Sequence, residues 1–362
     1  MIRCIKSSIV AFVLLFLGSL QGYAENTIPQ LPAIPDDRAL TVINENTSGE
    51  IYFKSRSPFD FDVLLNHINT APVTTAQGRL YLPEGASSAD RVPAMVILHG
   101  SGGLKPIREY HTAELLAKNG YAGLVLDYYA PRGYTEESAY RNKTAGVTEF
   151  DVVTDAYAAL RALQNHPAID GSRIGVMGFS YGGMATRLAM DDRIREQLAS
   201  DIPPFSLHVD IYGPCYQDFR VKKTTGAPLL TLRGAYDASN NLVDCAREEE
   251  RLRSAGSTVG VVIYATAGHS WELEYPKVKK NAPYINGCVI EYDDKGFPSR
   301  GDVQIIAPEA DISRSARYKL RWLSGKHFQG CLGIGYIMGR DEEAREGAEA
   351  ELLKFVQLHW EK

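Results

Sequence analysis

The chain has 362 residues, a formal net charge of −5 and 44% hydrophobic residues. This is the composition of an ordinary globular protein, and it excludes a disordered, collagen-like or helical-repeat chain. The mild acidity, without a basic stripe or a run of lysines, argues against nucleic acid as a partner.

Residues 1–24 have the pattern of a signal peptide. Arg3 and Lys6 precede an apolar run of about twelve residues, which is too short for a membrane-spanning helix. The small residues Gly22 and Ala24 suit cleavage after about Ala24. We therefore predict a secreted or periplasmic protein without a stable membrane anchor after cleavage. An uncleaved N-terminal anchor is the alternative.

Residues 25–74 are predicted to form an N-terminal arm and a leading strand. The arm is proline-rich and extended as far as about Ala39. β-rich, partly alternating residues at 49–55 and 75–83 predict two antiparallel strands. The main domain is then expected to span residues 75–362.

Buried strands alternate with helices over most of this domain. Continuous apolar runs, typical of strands buried on both faces, occur at 92–100, 121–129, 173–179, 207–213 and 227–237. Helices are predicted at 106–119, 147–164, 181–198 and 241–255, and a further strand at 257–269. The alternation predicts an α/β fold with a mostly parallel central sheet and helices on both faces, a three-layer sandwich.

The stretch at about 270–340 interrupts the alternation. It is rich in Gly, Pro and Asn, and we predict an irregular insertion there. A terminal helix with one apolar face follows at 344–356.

Residues 177–183, MGFSYGG, place Ser180 between Gly178 and Gly182. The motif falls between a predicted buried strand and a predicted helix, where glycines permit the sharp turn of a nucleophile elbow. Such a turn raises the serine hydroxyl above the sheet edge, beside a helix N-terminus. A structural loop and a dinucleotide-binding loop are the alternatives, although the pattern is not GxGxxG.

A serine nucleophile needs a base, which an acid must orient. In this architecture the acid and then the base follow the nucleophile in the chain, each after a strand. Asp237 and His269 occupy these two places. Asp210, within a predicted strand, and Asp244, within a predicted helix, are the rival acids.

Two backbone amides are expected to bind the oxyanion of a tetrahedral intermediate. One belongs to Tyr181, directly after the nucleophile. The other lies in the glycine-rich loop 99–103, where either Ser101 or Gly102 could donate. His99 is interpreted as a residue that orders this loop rather than as a second base.

These motifs together resemble the dienelactone hydrolase family of α/β-hydrolases. The resemblance covers about residues 75–300 and rests on HGSGG at 99–103, DYYAPRG at 127–133, RIGVMGFSYGG at 173–183, RGAYD at 233–237 and AGHSWE at 267–272. It implies the α/β-hydrolase fold and hydrolysis of carboxylic esters through an acyl-enzyme. Ser180, Asp237 and His269 stand at the triad positions. No cofactor is needed for this chemistry, and the sequence has neither HExxH nor cysteines at metal-ligand spacing.

The enzymes that give the family its name use cysteine as nucleophile, where this chain has Ser180. The resemblance therefore implies a general esterase acting on small-molecule esters. A serine peptidase of the prolyl-oligopeptidase type is one alternative, although fewer than 80 residues and no propeller repeat precede the core. A non-catalytic binding protein on the same fold is another. Arg132 is interpreted as part of a structural salt bridge rather than as a ligand for a substrate carboxylate.

Cleavage after Ala24 would leave four cysteines, an even number that suits disulfides in an exported chain and permits three connectivities. Cys215 follows one strand and Cys245 begins the helix after the Asp237 loop. We therefore predict a Cys215–Cys245 disulfide and, by elimination, a Cys288–Cys331 disulfide. The second would close the insertion, which would border the substrate site as a cap.

Overall fold

A computed structural model describes residues 28–36, 38–328 and 330–361. The chain divides into two units, Met1–Gln30 and Leu31–Lys362, and the second contains every helix and strand given below. The predicted signal peptide lies outside the described residues. Within the described ranges, no helix has the length and apolar character that a membrane span requires.

The strands and helices are numbered in chain order. The strands are β1 Gly49–Arg56, β2 Val73–Tyr81, β3 Val92–Leu98, β4 Ala122–Asp127, β5 Ile169–Phe179, β6 His208–Ile211, β7 Gln217–Asp218, β8 Leu229–Gly234, β9 Val259–Tyr264, β10 Val278–Ile285, β11 Ile290–Tyr292, β12 Pro298–Arg300, β13 Val303–Gln304 and β14 Leu332–Met338. The helices are α1 Phe61–His67, α2 His111–Lys118, α3 Tyr140–Gly146, α4 Glu149–Gln164, α5 Tyr181–Leu188, α6 Asp192–Ala199, α7 Leu242–Ser254, α8 Arg314–Leu323 and α9 Glu342–Trp360.

Eight strands form the central sheet, in the order β1-β2-β4-β3-β5-β6-β8-β9. Every neighbouring pair from β4 to β9 is parallel, whereas β2 is antiparallel to both β1 and β4. This mostly parallel sheet with leading antiparallel strands is the topology expected of the α/β-hydrolase fold, and the predicted fold class is confirmed.

Alternate side chains of the central strands face two separate cores. In β3, Val96 and Leu98 pack in the core that contains α4 and α5. Met95 and Ile97 point to the opposite face, where they share a core with α2 and α9. Because strand residues alternate between faces, a strand covered on both sides must be apolar at every position. The predicted three-layer arrangement is therefore present.

The single helix predicted over residues 181–198 is wrong, because the structure has two. Helix α5 ends at Leu188, and α6 begins at Asp192. The carboxylate of Asp191 accepts a hydrogen bond from the amide of Arg193, at 3.0 Å, and so caps the start of α6. Both helices carry apolar residues towards the core, and their combined pattern does not reveal the break.

The segment predicted as an irregular insertion at about 270–340 contains five strands and a helix. Strands β10 and β14 pair with each other, and β11, β12 and β13 form a small sheet with β7. Several of these strands have only two or three residues, and β10 is largely exposed. Such short or solvent-facing strands lack the buried apolar run by which the central strands were predicted.

Arg132 lies in the core and not at a substrate site. Its guanidinium is fully buried and donates a hydrogen bond of 2.6 Å to Asp155 Oδ2, and its Nε lies 3.6 Å from Asp151 Oδ1. Ser57 Oγ accepts a further bond from Nε. The interpretation as a structural salt bridge is confirmed.

Replacing Arg132 with Met should strongly destabilise the fold, because it leaves two buried carboxylates without their cation. We expect the free energy of unfolding to fall by about 3–5 kcal/mol. Arg161→Met is the matched control, since Arg161 makes a similar two-point contact with Asp201 at the surface. The control should lose far less stability, because an exposed ion pair contributes little. Chemical denaturation measures both variants, and equal losses would contradict the buried network's role.

Candidate active site

Ser180 forms the turn between β5 and α5. Its backbone has φ 54° and ψ −111°, a left-handed conformation that is strained for a residue with a side chain. The turn is held because the Ser180 amide donates a hydrogen bond of 2.8 Å to the carbonyl of Ile211. The hydroxyl therefore stands at the carboxyl edge of the sheet, at the N-terminus of α5.

The glycines on either side of Ser180 allow three backbones to approach one another. A Cβ atom on Gly178 would lie 2.2 Å from the carbonyl of Gly182, and one on Gly182 would lie 2.4 Å from the carbonyl oxygen of Leu98. Real Cβ atoms essentially never come this close to other heavy atoms. The motif thus lets α5 start directly against β3 and β5.

The structure brings the three predicted triad residues together. The loop after β8 carries Asp237, and the loop after β9 carries His269. Nδ1 of His269 lies 2.6 Å from Asp237 Oδ2, and Nε2 lies 2.9 Å from Ser180 Oγ. Because the carboxylate can only accept, Nδ1 carries the proton and Nε2 is free to accept from the serine hydroxyl. This arrangement suits general-base activation of Ser180.

Two side chains that the sequence analysis did not assign support the carboxylate of Asp237. Ser239 donates to Oδ1 from its hydroxyl at 2.5 Å and from its amide at 3.0 Å. Asn240 donates to Oδ2 at 2.8 Å, and its own carbonyl accepts from Arg233. The buried acid is thereby held in one orientation towards His269. Their position just after Asp237, in a polar turn, was the sequence signal that could have assigned them this supporting role.

Strand β14 fixes the backbone of His269. The His269 amide donates to the carbonyl of Ile337 at 2.8 Å, and its carbonyl accepts from the amide of Gly339 at 3.1 Å. The segment 270–340 therefore positions the base as well as bordering the site.

Tyr212 and Glu272 form a second layer around the base. The ring of Tyr212 lies 4.7 Å from the ring of His269, centroid to centroid, and its hydroxyl donates to Glu272 Oε2 at 2.7 Å. Burial raises the pKa of Glu272 to about 7, against the opposing effect of the nearby Arg108 guanidinium. Glu272 lies in the motif AGHSWE and Tyr212 in the predicted strand 207–213, but neither was assigned a role from the sequence.

The two predicted sources of oxyanion donors lie on either side of Ser180. Tyr181 is the first residue of α5, where an amide has no partner within the helix. In the loop after β3, the amide of Gly103 already donates to the carbonyl of Gly100 at 3.0 Å. Ser101 and Gly102 therefore stay as the two candidate donors from that loop.

His99 orders this loop and is unsuited to act as a second base. Its Nδ1 lies 2.7 Å from the carbonyl of Gly100, and its ring stacks on Tyr128 at 3.6 Å between centroids. Burial lowers the pKa of His99 to about 3, which keeps the imidazole neutral.

The rival acids are engaged elsewhere. The buried Asp210 carboxylate pairs with the guanidiniums of Arg187 and Arg233. Asp244 lies in the first turn of α7 and pairs with Arg247 at 2.7 Å. Neither residue contacts the ring of His269.

A cavity of about 460 Å³ opens beside Ser180 and His269. Residues from α3, α8, β10, β11 and β14 line it, and the segment 270–340 supplies about half of its wall. One disulfide joins Cys288, after β10, to Cys331, before β14. A second disulfide joins Cys215 to Cys245.

Among the described residues, no group of three or more His, Cys, Asp or Glu side chains is placed to hold a metal ion.

Comparison with known proteins identifies the sequence family. A model of the dienelactone hydrolase family matches residues 76–294. A protein named "Putative carboxymethylenebutenolidase", from Methylorubrum extorquens, is 27% identical over 186 residues, which are 48% of this chain and 61% of that protein. A "Probable 2-oxo-3-(5-oxofuran-2-ylidene)propanoate lactonase" from Bradyrhizobium sp is 25% identical over 215 residues, which cover 56% of this chain and 82% of that one.

A solved structure of a "Putative Dienelactone Hydrolase" from Klebsiella pneumoniae is 21% identical and has a TM-score of 0.43. The alignment covers 61% of this chain and 88% of that chain.

Replacing Glu272 with Gln should remove a pH-dependent loss of stability. Because the folded state raises the pKa of Glu272 from 4.5 to about 7, the wild-type protein loses stability as the pH rises through this interval. The glutamine side chain would still accept from Tyr212 and cannot ionise. We expect the variant's Tm to exceed the wild-type Tm by an amount that grows as the pH rises from 4.5 to about 7. Above that pH the difference should stay constant. Glu274→Gln, an exposed change on the same loop, is the control. A Tm difference independent of pH would contradict the assignment.

Proposed function

This chain belongs to the dienelactone hydrolase family, and we propose that it is a hydrolase that cleaves carboxylic esters with Ser180 as nucleophile. The main support for the proposal is the chain of hydrogen bonds that links Asp237 through His269 to the Ser180 hydroxyl. The lactone-cleaving name of one relative is consistent with ester chemistry.

The first half of the reaction forms an acyl-enzyme. Ser180 Oγ attacks the ester carbonyl carbon while His269 Nε2 accepts the hydroxyl proton. Asp237 accepts a hydrogen bond from Nδ1 and stabilises the imidazolium. When the tetrahedral intermediate collapses, the bond to the leaving oxygen breaks and His269 gives that oxygen its proton.

The second half releases the acid. Water takes the place of the alcohol, His269 removes its proton, and the resulting attack on the acyl carbon forms a second tetrahedral intermediate. Collapse breaks the bond to Ser180 Oγ, which recovers its proton from His269. We assign the oxyanion of both intermediates to the amide of Tyr181 and to that of Ser101 or Gly102. Loss of one such donor typically raises the barrier by about 2.7–4 kcal/mol.

Hydrolysis of peptides by the same residues is the alternative function, and a non-catalytic role is a further one. Ester cleavage is favoured by the family and by the relative that is named a lactonase. We also propose that the protein is exported to an oxidising compartment, because two disulfides cross-link the domain and such bonds are rare in reducing ones.

Ser180→Ala should abolish hydrolysis of p-nitrophenyl acyl esters, lowering kcat by roughly 10⁴-fold or more because the nucleophile is lost. Ser200→Ala, an exposed change at the end of α6, should leave the rate unchanged. The same assay with peptide anilides separates esterase from peptidase. Faster turnover of anilides than of esters would favour the peptidase, and unchanged ester hydrolysis by Ser180→Ala would refute the assignment of the nucleophile.

A further inference from the structure

The charges that line the cavity beside Ser180 balance one another. Asp60 and Glu149 contribute carboxylates, and Arg141 and Arg321 contribute guanidiniums. Arg321 Nη2 lies 3.4 Å from Glu149 Oε2, and the guanidinium of Arg141 lies 4.2 Å from the ring centroid of Trp322. The lining thus offers no surplus of positive charge to a carboxylate, and it suits a neutral substrate.

Several polar groups of the lining lack a hydrogen-bond partner within the described part of the chain. The side-chain nitrogen of Gln217 faces the Glu149 carboxylate, which can only accept, so the Gln217 oxygen lies on the other side, buried and unpaired. The hydroxyls of Tyr216, Tyr284 and Tyr336 also make no hydrogen bond to described residues. A buried polar group is normally paired, so the Gln217 oxygen favours a ligand that donates a hydrogen bond to it, and the three half-buried tyrosines offer further hydroxyls to a ligand with several hydroxyl groups.

The same cavity presents aromatic faces. Tyr284 and Tyr336 pack edge to face with their centroids 5.9 Å apart, and the ring of Tyr336 lies 5.7 Å from the ring of His269. A sugar-like ring has apolar C–H faces and a polar rim of hydroxyls. It therefore matches a cavity lined both by aromatic rings and by polar groups that make no hydrogen bond within the described residues.

A chain of hydrogen bonds links the residue after the nucleophile to Gln217. Tyr181 follows Ser180 directly, and its hydroxyl donates to Glu149 Oε2 at 2.7 Å. Glu149 in turn accepts from Gln217. Ser180 and Gln217 both line the cavity, so an ester bound at Ser180 shares this cavity with Gln217.

We propose that the ester cleaved here carries a neutral, hydroxyl-rich ring, such as a sugar, that binds Gln217 and the cavity tyrosines. This inference rests on the proposed ester hydrolysis at Ser180. A phenolic ester would use the aromatic faces but would leave most of the unpaired polar groups without partners. A substrate with a free carboxylate would meet a cavity without surplus positive charge.

The test compares kcat/KM for 6-O-acetylglucose, cyclohexylmethyl acetate and benzyl acetate. The three carry the same ester on a six-membered ring, but only the first has ring hydroxyls. Because a site built to bind hydroxyls rejects analogues that lack them, we expect the wild type to prefer the sugar ester over each of the others by about 100-fold or more. Equal or faster turnover of either hydroxyl-free ester would overturn the proposal.

Gln217→Met tests the subsite itself. We expect the ratio of kcat/KM for the sugar ester to that for cyclohexylmethyl acetate to fall by about tenfold or more, mainly through KM. Gln197→Met, an exposed change on α6, is the matched control and should leave the ratio unchanged. A ratio that Gln217→Met does not alter would count against the subsite.

Two controls keep the outcomes separate. Labelling of Ser180 by a fluorophosphonate shows that the Gln217→Met variant is folded and active. If the variant is not labelled, the substrate preference of the wild type alone decides the proposal. Absence of labelling together with no turnover of any ester in the wild type would refute the proposed function, and the sugar-ester inference with it.

Discussion

The sharp turn at Ser180 is the constraint on which the rest of the site depends. The strained backbone of Ser180 is tolerated because the central sheet holds β5 on one side and α5 starts immediately on the other. Glycines at 178 and 182 remove the side chains that would keep β3, β5 and α5 apart. The turn sets the position of the hydroxyl, and the two loops that follow β8 and β9 bring the acid and the base to it. The arrangement of Ser180, Asp237 and His269 is thus a consequence of strand order in a parallel sheet.

The segment 270–340 couples the substrate cavity to the base. The His269 amide donates to Ile337 in β14, and the amide of Gly339, just after β14, donates to the His269 carbonyl. The same strand carries Tyr336 into the cavity wall. The Cys288–Cys331 disulfide closes the chain between β10 and β14, which pair with each other. A change in this wall is therefore expected to alter the orientation of the His269 imidazole as well as the shape of the cavity, because both depend on the same segment.

Much of this could be predicted from the sequence, because strands buried on both faces and short glycine motifs leave local signals. The predicted sheet follows from continuous apolar runs, and Ser180, Asp237 and His269 follow from their order after particular strands. The break between α5 and α6 could not be predicted, since both helices share one apolar pattern. The strands of the insertion were missed because they are short or exposed. Tyr212 and Glu272 meet only through the fold, because they come from different loops and no local pattern pairs them.

The most direct test of the account is the site of covalent modification by a fluorophosphonate. Tryptic digestion of the labelled, folded protein should yield a modified peptide of residues 174–187, in which fragmentation places the phosphonyl group on Ser180. His269→Ala should label far more slowly, because the serine hydroxyl then lacks its base. A folded protein that takes up no label, or that carries the label on another residue, would contradict Ser180 as the nucleophile.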